Sequence, residues 1–196
     1  MKFVMATQNK KKLEEMTKVL SDLGIEVVSE AELGVKIEVE ETGETFAENS
    51  MLKAKAVVEA TGLPAIADDS GLCIDALNGG PGVYSARFGG EELTDKDRYM
   101  LVLEMMKGQT DRTAHFHTTI TCAFPDGDTL QVDGDCPGTI AFAPMGDDGF
   151  GYNPIFFVPD KRKTFAQMDL AERSSISHRG KALRALKEVL AEYLNK

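Results

Sequence analysis

The sequence predicts an α/β fold, on three observations. The first fifty residues read as strand, polar loop, amphipathic helix and second strand. Strand-like and helix-like segments go on alternating to the C-terminus. No internal repeat and no linker rich in Pro, Gly or Ser divides them, so the 196 residues are read as one domain, 1–196, with length enough for two lobes.

Each element has its own signal. Residues 3–6 form a short apolar run typical of a buried strand. Beyond a polar turn, Leu13, Met16, Leu20 and Leu23 recur at helical spacing, and Gly24 is a natural stop. Residues 25–28 are a second strand. Residues 35–39 alternate apolar and polar and lead into Glu38, Glu40, Glu41 and Glu44. Thr45 and Glu48 have capping-box spacing, which opens a helix predicted to turn Phe46, Leu52, Ala56 and Ala60 inward and to end at Gly62. Residues 65–67 make a short strand, stopped by Asp68-Asp69-Ser70-Gly71.

Gly79-Gly80-Pro81-Gly82 and Gly89-Gly90 are loops, and residues 95–107 a helix. Residues 115–124 alternate, with Phe116, Ile120 and Phe124 on one strand face. After the turn Pro125-Asp126-Gly127-Asp128, residues 129–132 return as a hairpin partner. Residues 146–152 are a glycine-rich loop and 155–158 a strand. Leu183, Leu186, Leu190 and Leu194 stripe a last helix that starts near Ser177.

Composition then narrows the function. A 42% hydrophobic share excludes a disordered chain, and 22 Lys+Arg against 32 Asp+Glu leave a formal net charge of −10. Such a surface repels nucleic-acid backbones and anionic lipid, so no nucleic-acid or membrane partner is expected. A small anionic ligand needs only a local basic cluster. Cys73, Cys122 and Cys136 are odd in number and contain no CxxC pair, which suits neither a disulfide framework nor a zinc site and fits a reducing cytoplasm. The N-terminus turns polar at Thr7 before a signal-peptide core can form, and no apolar run approaches the roughly 18–20 residues of a membrane span.

Four motifs carry chemistry, each with a plainer alternative. Thr7-Gln8-Asn9-Lys10-Lys11-Lys12 joins the first strand to the first helix, where free amides and the helix dipole favour a phosphate; a solvated lysine run is the other reading. It lacks the glycines of a Walker A loop. Asp68-Asp69-Ser70-Gly71 sets two repelling carboxylates side by side, as a metal ion requires, or as a turn bonded to its own amides allows. If strand geometry persists there, the two aspartates point to opposite sides. Ser177-His178-Arg179 opens a helix with an imidazole and a guanidinium fork, or merely with a capping serine. Phe150-Gly151-Tyr152-Asn153-Pro154 offers rings that stack on a base or that anchor the loop in the core.

Taken in order, these motifs resemble the inosine triphosphatase family. The matching stretches include Thr7-Gln8-Asn9 through Lys12, Glu41-Thr42-Gly43-Glu44-Thr45-Phe46 with Glu48-Asn49, Leu52-Lys53-Ala54, and Ala67-Asp68-Asp69-Ser70-Gly71-Leu72. They continue with Pro81-Gly82-Val83-Tyr84-Ser85-Ala86-Arg87, Gly149-Phe150-Gly151-Tyr152 and Ser177-His178-Arg179, so the resemblance runs from residue 7 to residue 179.

The resemblance implies a mixed twisted sheet with flanking helices, two lobes around an active-site cleft, and a homodimer. It also implies Mg²⁺-dependent hydrolysis of non-standard purine nucleoside triphosphates (ITP, dITP, XTP) to the monophosphate and pyrophosphate. By motif, Asp69 would be the acid–base residue and a metal ligand, with Glu40 or Glu41 as the second metal carboxylate and Asp68 and Lys53 in the catalytic group. Thr7, Gln8, Asn9, Lys10, Lys11 and Lys12 would hold the phosphates and Ser70 would touch the substrate. Lys12 and Lys53 are expected to face phosphate oxygens rather than carboxylates of the protein. Phe150 would stack on the purine, with Gly151, Tyr152, Asn153, Arg173, His178 and Arg179 around the base.

Two positions depart from the family pattern. Asn153 stands where aspartate is usual, and Arg173 where lysine is usual, so reaction type is read more firmly than base preference. The rivals are a related pyrophosphatase with another base preference and a nucleotide sensor without turnover. A sensor has no need of a water-activating carboxylate.

Overall fold

The computed structural model describes residues 1–7 and 9–195, the side chain of Lys11 excepted. The chain divides into two compact units, neither of them one continuous segment. The first gathers Met1–Asp69, Thr118–Asp133 and Lys181–Lys196; the second gathers Ser70–His117 and Gly134–Gly180.

In the first unit, β1 (Lys2–Met5) pairs in parallel with β2 (Glu26–Ser29) and with β3 (Ala65–Ile74). Parallel neighbours need crossovers, which are α1 (Lys10–Leu20) and α2 (Phe46–Thr61). The two-residue period of β1 sorts the core. Phe3 and Met5, with Ile66, pack on Met16 and Leu20 of α1 and on Leu183, Leu186 and Leu190 of α5 (His178–Leu194). Val4, on the other side, packs with Val28, Ala65 and Val57 of α2. Ala54 of α2, Ala67, and Ala123 of β5 (Thr113–Ala123) form a small cluster, and three side chains that end at Cβ let α2 lie close on the sheet.

Helix α2 opens on the predicted capping box and ends at Gly62, where φ is 67°. Its inward face is not the predicted one. Asn49, Ser50, Ala54 and Val57 are buried, while Leu52 is 38% exposed and Ala60 is exposed. Apolar spacing missed this because the sheet side of the helix is partly polar: Ser50 Oγ and Thr121 Oγ1 share a hydrogen bond at 2.7 Å.

In the second unit, β4 (Gly80–Pro81) pairs antiparallel with Cys73 and Ile74, where a loop alone was expected. The other strands are the start of β5, the end of β6 (Thr129–Ile140), β7 (Phe156–Val158) and β8 (Lys163–Thr164), with helices α3 (Asp95–Met105) and α4 (Leu170–Ile176). Strand β3 does not stop at Asp68 as predicted. It runs on to Ile74 because Leu72 and Ile74 are fully buried in the second core, among Val102, Phe116 and Phe156. Phe116, Phe156 and Phe165 meet with ring centroids 4.6–5.7 Å apart.

The strand order is β2-β1-β3-β5-β6-β7-β8, with β4 on β3, an eight-stranded mixed sheet flanked by helices. No helix among the described residues is long and apolar enough to cross a membrane.

Candidate active site

The pleat of β3 decides where its two aspartates go. Ile66 faces α1, while Ala65 and Ala67 face α2, so Asp68 emerges on the α1 side and Asp69 on the α2 side. Each meets a lysine there. Lys12 Nζ donates to Asp68 Oδ2 at 2.6 Å, and Lys53 Nζ donates to Asp69 Oδ1 at 3.5 Å and to Glu41 Oε1 at 2.8 Å. The opposed aspartates agree with the strand geometry. The lysines depart from expectation, because both engage protein carboxylates. The reason is burial: the Asp68 side chain is 1% exposed, and an ionised carboxylate at that depth needs a cation.

Electrostatics single out Asp69. Burial pushes its carboxyl up and Glu41 adds to the rise, while Lys53 and the neighbouring Asn49 amide oppose it; the balance lies above the ordinary value. Burial alone would lower the Lys53 ammonium, but Asp69 and Glu41 hold it above its ordinary value. Asp69 Oδ2 and Asn49 Nδ2 are both buried, and although the amide lies near enough to lower the carboxyl, neither atom completes a hydrogen bond of good geometry among the described residues. An orphaned carboxylate oxygen beside a second carboxylate fits a hard divalent cation. Among the described residues, no three His, Cys, Asp or Glu side chains already form a metal cluster.

The two candidate glutamates differ in burial and in partners. Val35, Ile37, Val39 and Glu41 are half-buried along an extended segment, while Glu40 is exposed. Glu41 therefore reaches Lys53, and Glu40 is not brought to the cluster.

The loop before α1 is ordered by its own side chains. Asn9 Oδ1 accepts from the Lys12 amide at 3.4 Å, as a helix cap, and Thr7 Oγ1 accepts from the Asn9 amide at 3.2 Å. Thr7, Asn9 and the exposed Lys10 border a cavity of about 700 Å³, and Thr7 and Lys53 share a smaller recess of about 180 Å³. Gln8 and the Lys11 side chain lie outside the described residues.

The second unit holds the other candidates. Ser70 is half-buried on β3. The two loop aromatics divide their labour: Phe150 is 62% exposed, whereas Tyr152 is buried in the core and its hydroxyl donates to Ser85 O at 2.7 Å. Burial pushes the Tyr152 hydroxyl up to about 12, and the buried ring with its bond to Ser85 anchors the loop in the core, the second of the two readings the motif allowed. The Gly151 amide donates to Asp95 Oδ2 at 2.7 Å, with φ at 54°. Asn153 Nδ2 donates to Asp148 Oδ2 at 3.2 Å, and Arg173 Nη1 donates to the same oxygen. His178 stacks on Phe116 at 4.8 Å, with Arg179 half-buried beside it at the start of α5. Ser177 Oγ caps this helix by accepting from the Gly180 amide at 3.1 Å.

Sequence reasoning quoted Asn49 within a matching stretch but gave it no role, and it missed Asp95, Asp148 and Gly180. Polar residues on a helix face or in a loop look solvated in a sequence. Gly180 did carry a signal, since glycine in a helix's first turn implies close approach, and a Cβ there would lie 1.9 Å from Ser174 O.

Fold and site together define a class: the chain belongs to the Ham1 family, which matches residues 3–189. Its relatives have names. The dITP/XTP pyrophosphatase of Escherichia coli K12 is 47% identical over 193 residues, spanning 96% of this chain and 98% of its own. A dITP/XTP pyrophosphatase of Thermus thermophilus is 49% identical over 191 residues, 96% and 91% of the respective chains. Among solved structures, the Ham1 protein of Staphylococcus aureus superposes with a TM-score of 0.93 at 39% identity, covering 98% of this chain and 100% of its own. A HAM1 protein from Coxiella burnetii also reaches 0.93, at 45% identity over 98% and 99%.

Proposed function

We propose that this protein hydrolyses the non-standard purine nucleoside triphosphates ITP, dITP and XTP to the monophosphate and pyrophosphate. One observation carries the reading: Asp69 keeps a buried, unpartnered oxygen beside Lys53 and Glu41. Relatives named dITP/XTP pyrophosphatase, 47% and 49% identical over nearly the whole chain, support it.

In this reading water adds to the α-phosphorus, the bond to the bridging β-phosphate oxygen breaks, and pyrophosphate leaves. Asp69 takes the proton of that water, and a carboxyl raised above its ordinary value is the better base for it. Lys53 and Lys12 turn from their carboxylates toward the phosphate oxygens as the triphosphate arrives, with Thr7 and Asn9 beside them. Asp69 and Glu41 would hold Mg²⁺. When bound, the ion supplies positive charge that offsets the departing pyrophosphate. Phe150 stacks on the purine, and Asn153, Arg173, His178 and Arg179 recognise its edge. The resemblance adds a homodimer in the cytoplasm and one functional domain over 1–196.

Pyrophosphate release from ITP, XTP, GTP, ATP and CTP, with and without Mg²⁺, tests this. Rapid Mg²⁺-dependent release from ITP and XTP is expected. Equal use of ATP and ITP rejects the base assignment, and nucleotide binding without any release rejects the enzyme in favour of a sensor.

A further inference from the structure

The loop that carries Phe150 is tied down by a carboxylate to which the reading above gives no part. Asp148 Oδ1 accepts the Phe150 amide at 3.2 Å; Oδ2 accepts from Asn153 Nδ2 at 3.2 Å and from Arg173 Nη1. One side chain thus joins the loop to α4. Burial pushes the Asp148 carboxyl up, but the Arg173 bond and the Phe150 amide outweigh it and hold the group below its ordinary value. A second tether, from the Gly151 amide to Asp95 at 2.7 Å, fixes the loop backbone without touching Asn153 or Arg173 side chains.

An amide has its donor and its acceptor at opposite corners. With Nδ2 turned to Asp148, the corner of Asn153 on the far side is the Oδ1 acceptor. Arg173, held through Nη1, keeps its remaining N–H groups as donors. A guanidinium donor with an amide acceptor matches a purine edge made of a C6 oxygen and an N1–H. Adenine presents the reverse, a C6 amino donor and an N1 acceptor. Released from Asp148, the amide can turn over and offer its NH₂ to adenine N1.

We infer that Asp148 is a positioning residue for base choice: it sets the sense of the Asn153 amide and the place of the Arg173 guanidinium, so that 6-keto purines are accepted and 6-amino purines refused. The inference rests on the pyrophosphatase reading.

The experiment measures kcat and KM for ITP and ATP, with melting temperature, in wild type, Asp148→Asn, Asp95→Asn and the double variant Asp148→Asn/Asn153→Asp. Asp148→Asn should lower the ITP-over-ATP ratio of kcat/KM by at least about tenfold, through KM, with kcat for ITP within about threefold of wild type. Asp95→Asn perturbs the loop but not the amide, and should leave the ratio within about twofold. The double variant moves the carboxylate five positions along the loop, to where its two oxygens accept whichever way the group turns. It should bring the ratio back to within about threefold of wild type. An unchanged ratio in Asp148→Asn, or an equal fall in Asp95→Asn, overturns the positioning role. If Asp148→Asn alone does not fold, Asp148→Glu, which keeps the carboxylate but displaces its oxygens by one methylene, decides: a ratio lowered by at least about threefold supports the role and an unchanged ratio overturns it. A wild-type protein that releases no pyrophosphate from any nucleotide overturns the pyrophosphatase reading as well, which separates the two failures.

Discussion

Asp68 and Asp69 are neighbours in the chain but have different duties, because a strand turns successive side chains to opposite faces. Asp69 sits where its charge is disfavoured, so removing that charge is expected to spare the fold, and in the proposed reading it removes the group that activates the water. Asp69→Asn should therefore lose at least about 10²-fold in turnover with its melting temperature unchanged or raised. Lys12→Ala is expected to behave differently, since it takes the nearest ammonium away from the buried Asp68 carboxylate. It should lose about 1–3 kcal/mol of stability in urea titrations as well as turnover. A Lys12→Ala protein as stable as wild type would show that the ion pair is not structural. At this scale the opposed aspartates were legible from period two alone. So was the choice of Glu41 over Glu40, had the alternation of Val35, Ile37 and Val39 been followed two residues further. The place of Asn49 beside Asp69 was not legible, because a polar residue on a helix is ordinarily read as solvated.

The elements explain how those side chains reach their places. Helix α2 brings Lys53 and Asn49 to Asp69 because Ala54 meets Ala67 and Ala123, which hold the helix close to the strands. The inward face of α2 was mispredicted because its sheet side is partly polar, with Asn49 and Ser50 buried beside Ala54 and Val57. At the α4–α5 junction the constraint is a glycine. A Cβ on Gly180 would stand 1.9 Å from the Ser174 carbonyl oxygen, a backbone atom that cannot swing aside. Gly180→Ala should cost about 1–3 kcal/mol or more and disturb the adjacent His178 and Arg179. The urea midpoint and KM for ITP check this together, and wild-type values for both would remove the junction from the account.

At the scale of the molecule, the two units are woven from separated segments. Phe3, Met5 and Ile66 of the first unit are covered by Ile120 and Cys122 and by Leu183, Leu186 and Leu190, which lie far along the chain. A fragment of residues 1–69 keeps the strand–helix–strand beginning and loses that cover. It should show no cooperative unfolding by circular dichroism, whereas the full chain should melt in a defined transition. A folded fragment would mean that the long-range contacts are dispensable. The net charge of −10 is compatible with an anionic substrate because Lys12 and Lys53 gather positive charge locally, which in the proposed reading the triphosphate draws away from their carboxylates.

What the sequence determined by itself is whatever depends on near neighbours: the α/β alternation, the capping box of α2, the glycine stops, the opposed aspartates, and a family resemblance spread over the whole chain. Tertiary structure decided what depends on distant partners. It carried β3 past the aspartates to Ile74, paired Lys12 and Lys53 with carboxylates, made Tyr152 an anchor while leaving Phe150 exposed, and drew Asn153 and Arg173 onto Asp148. The physical reason is the same in each case. Periodicity and capping are local to a few residues, whereas burial, and the need to neutralise whatever charge is buried, is settled only when segments far apart in the chain are packed together.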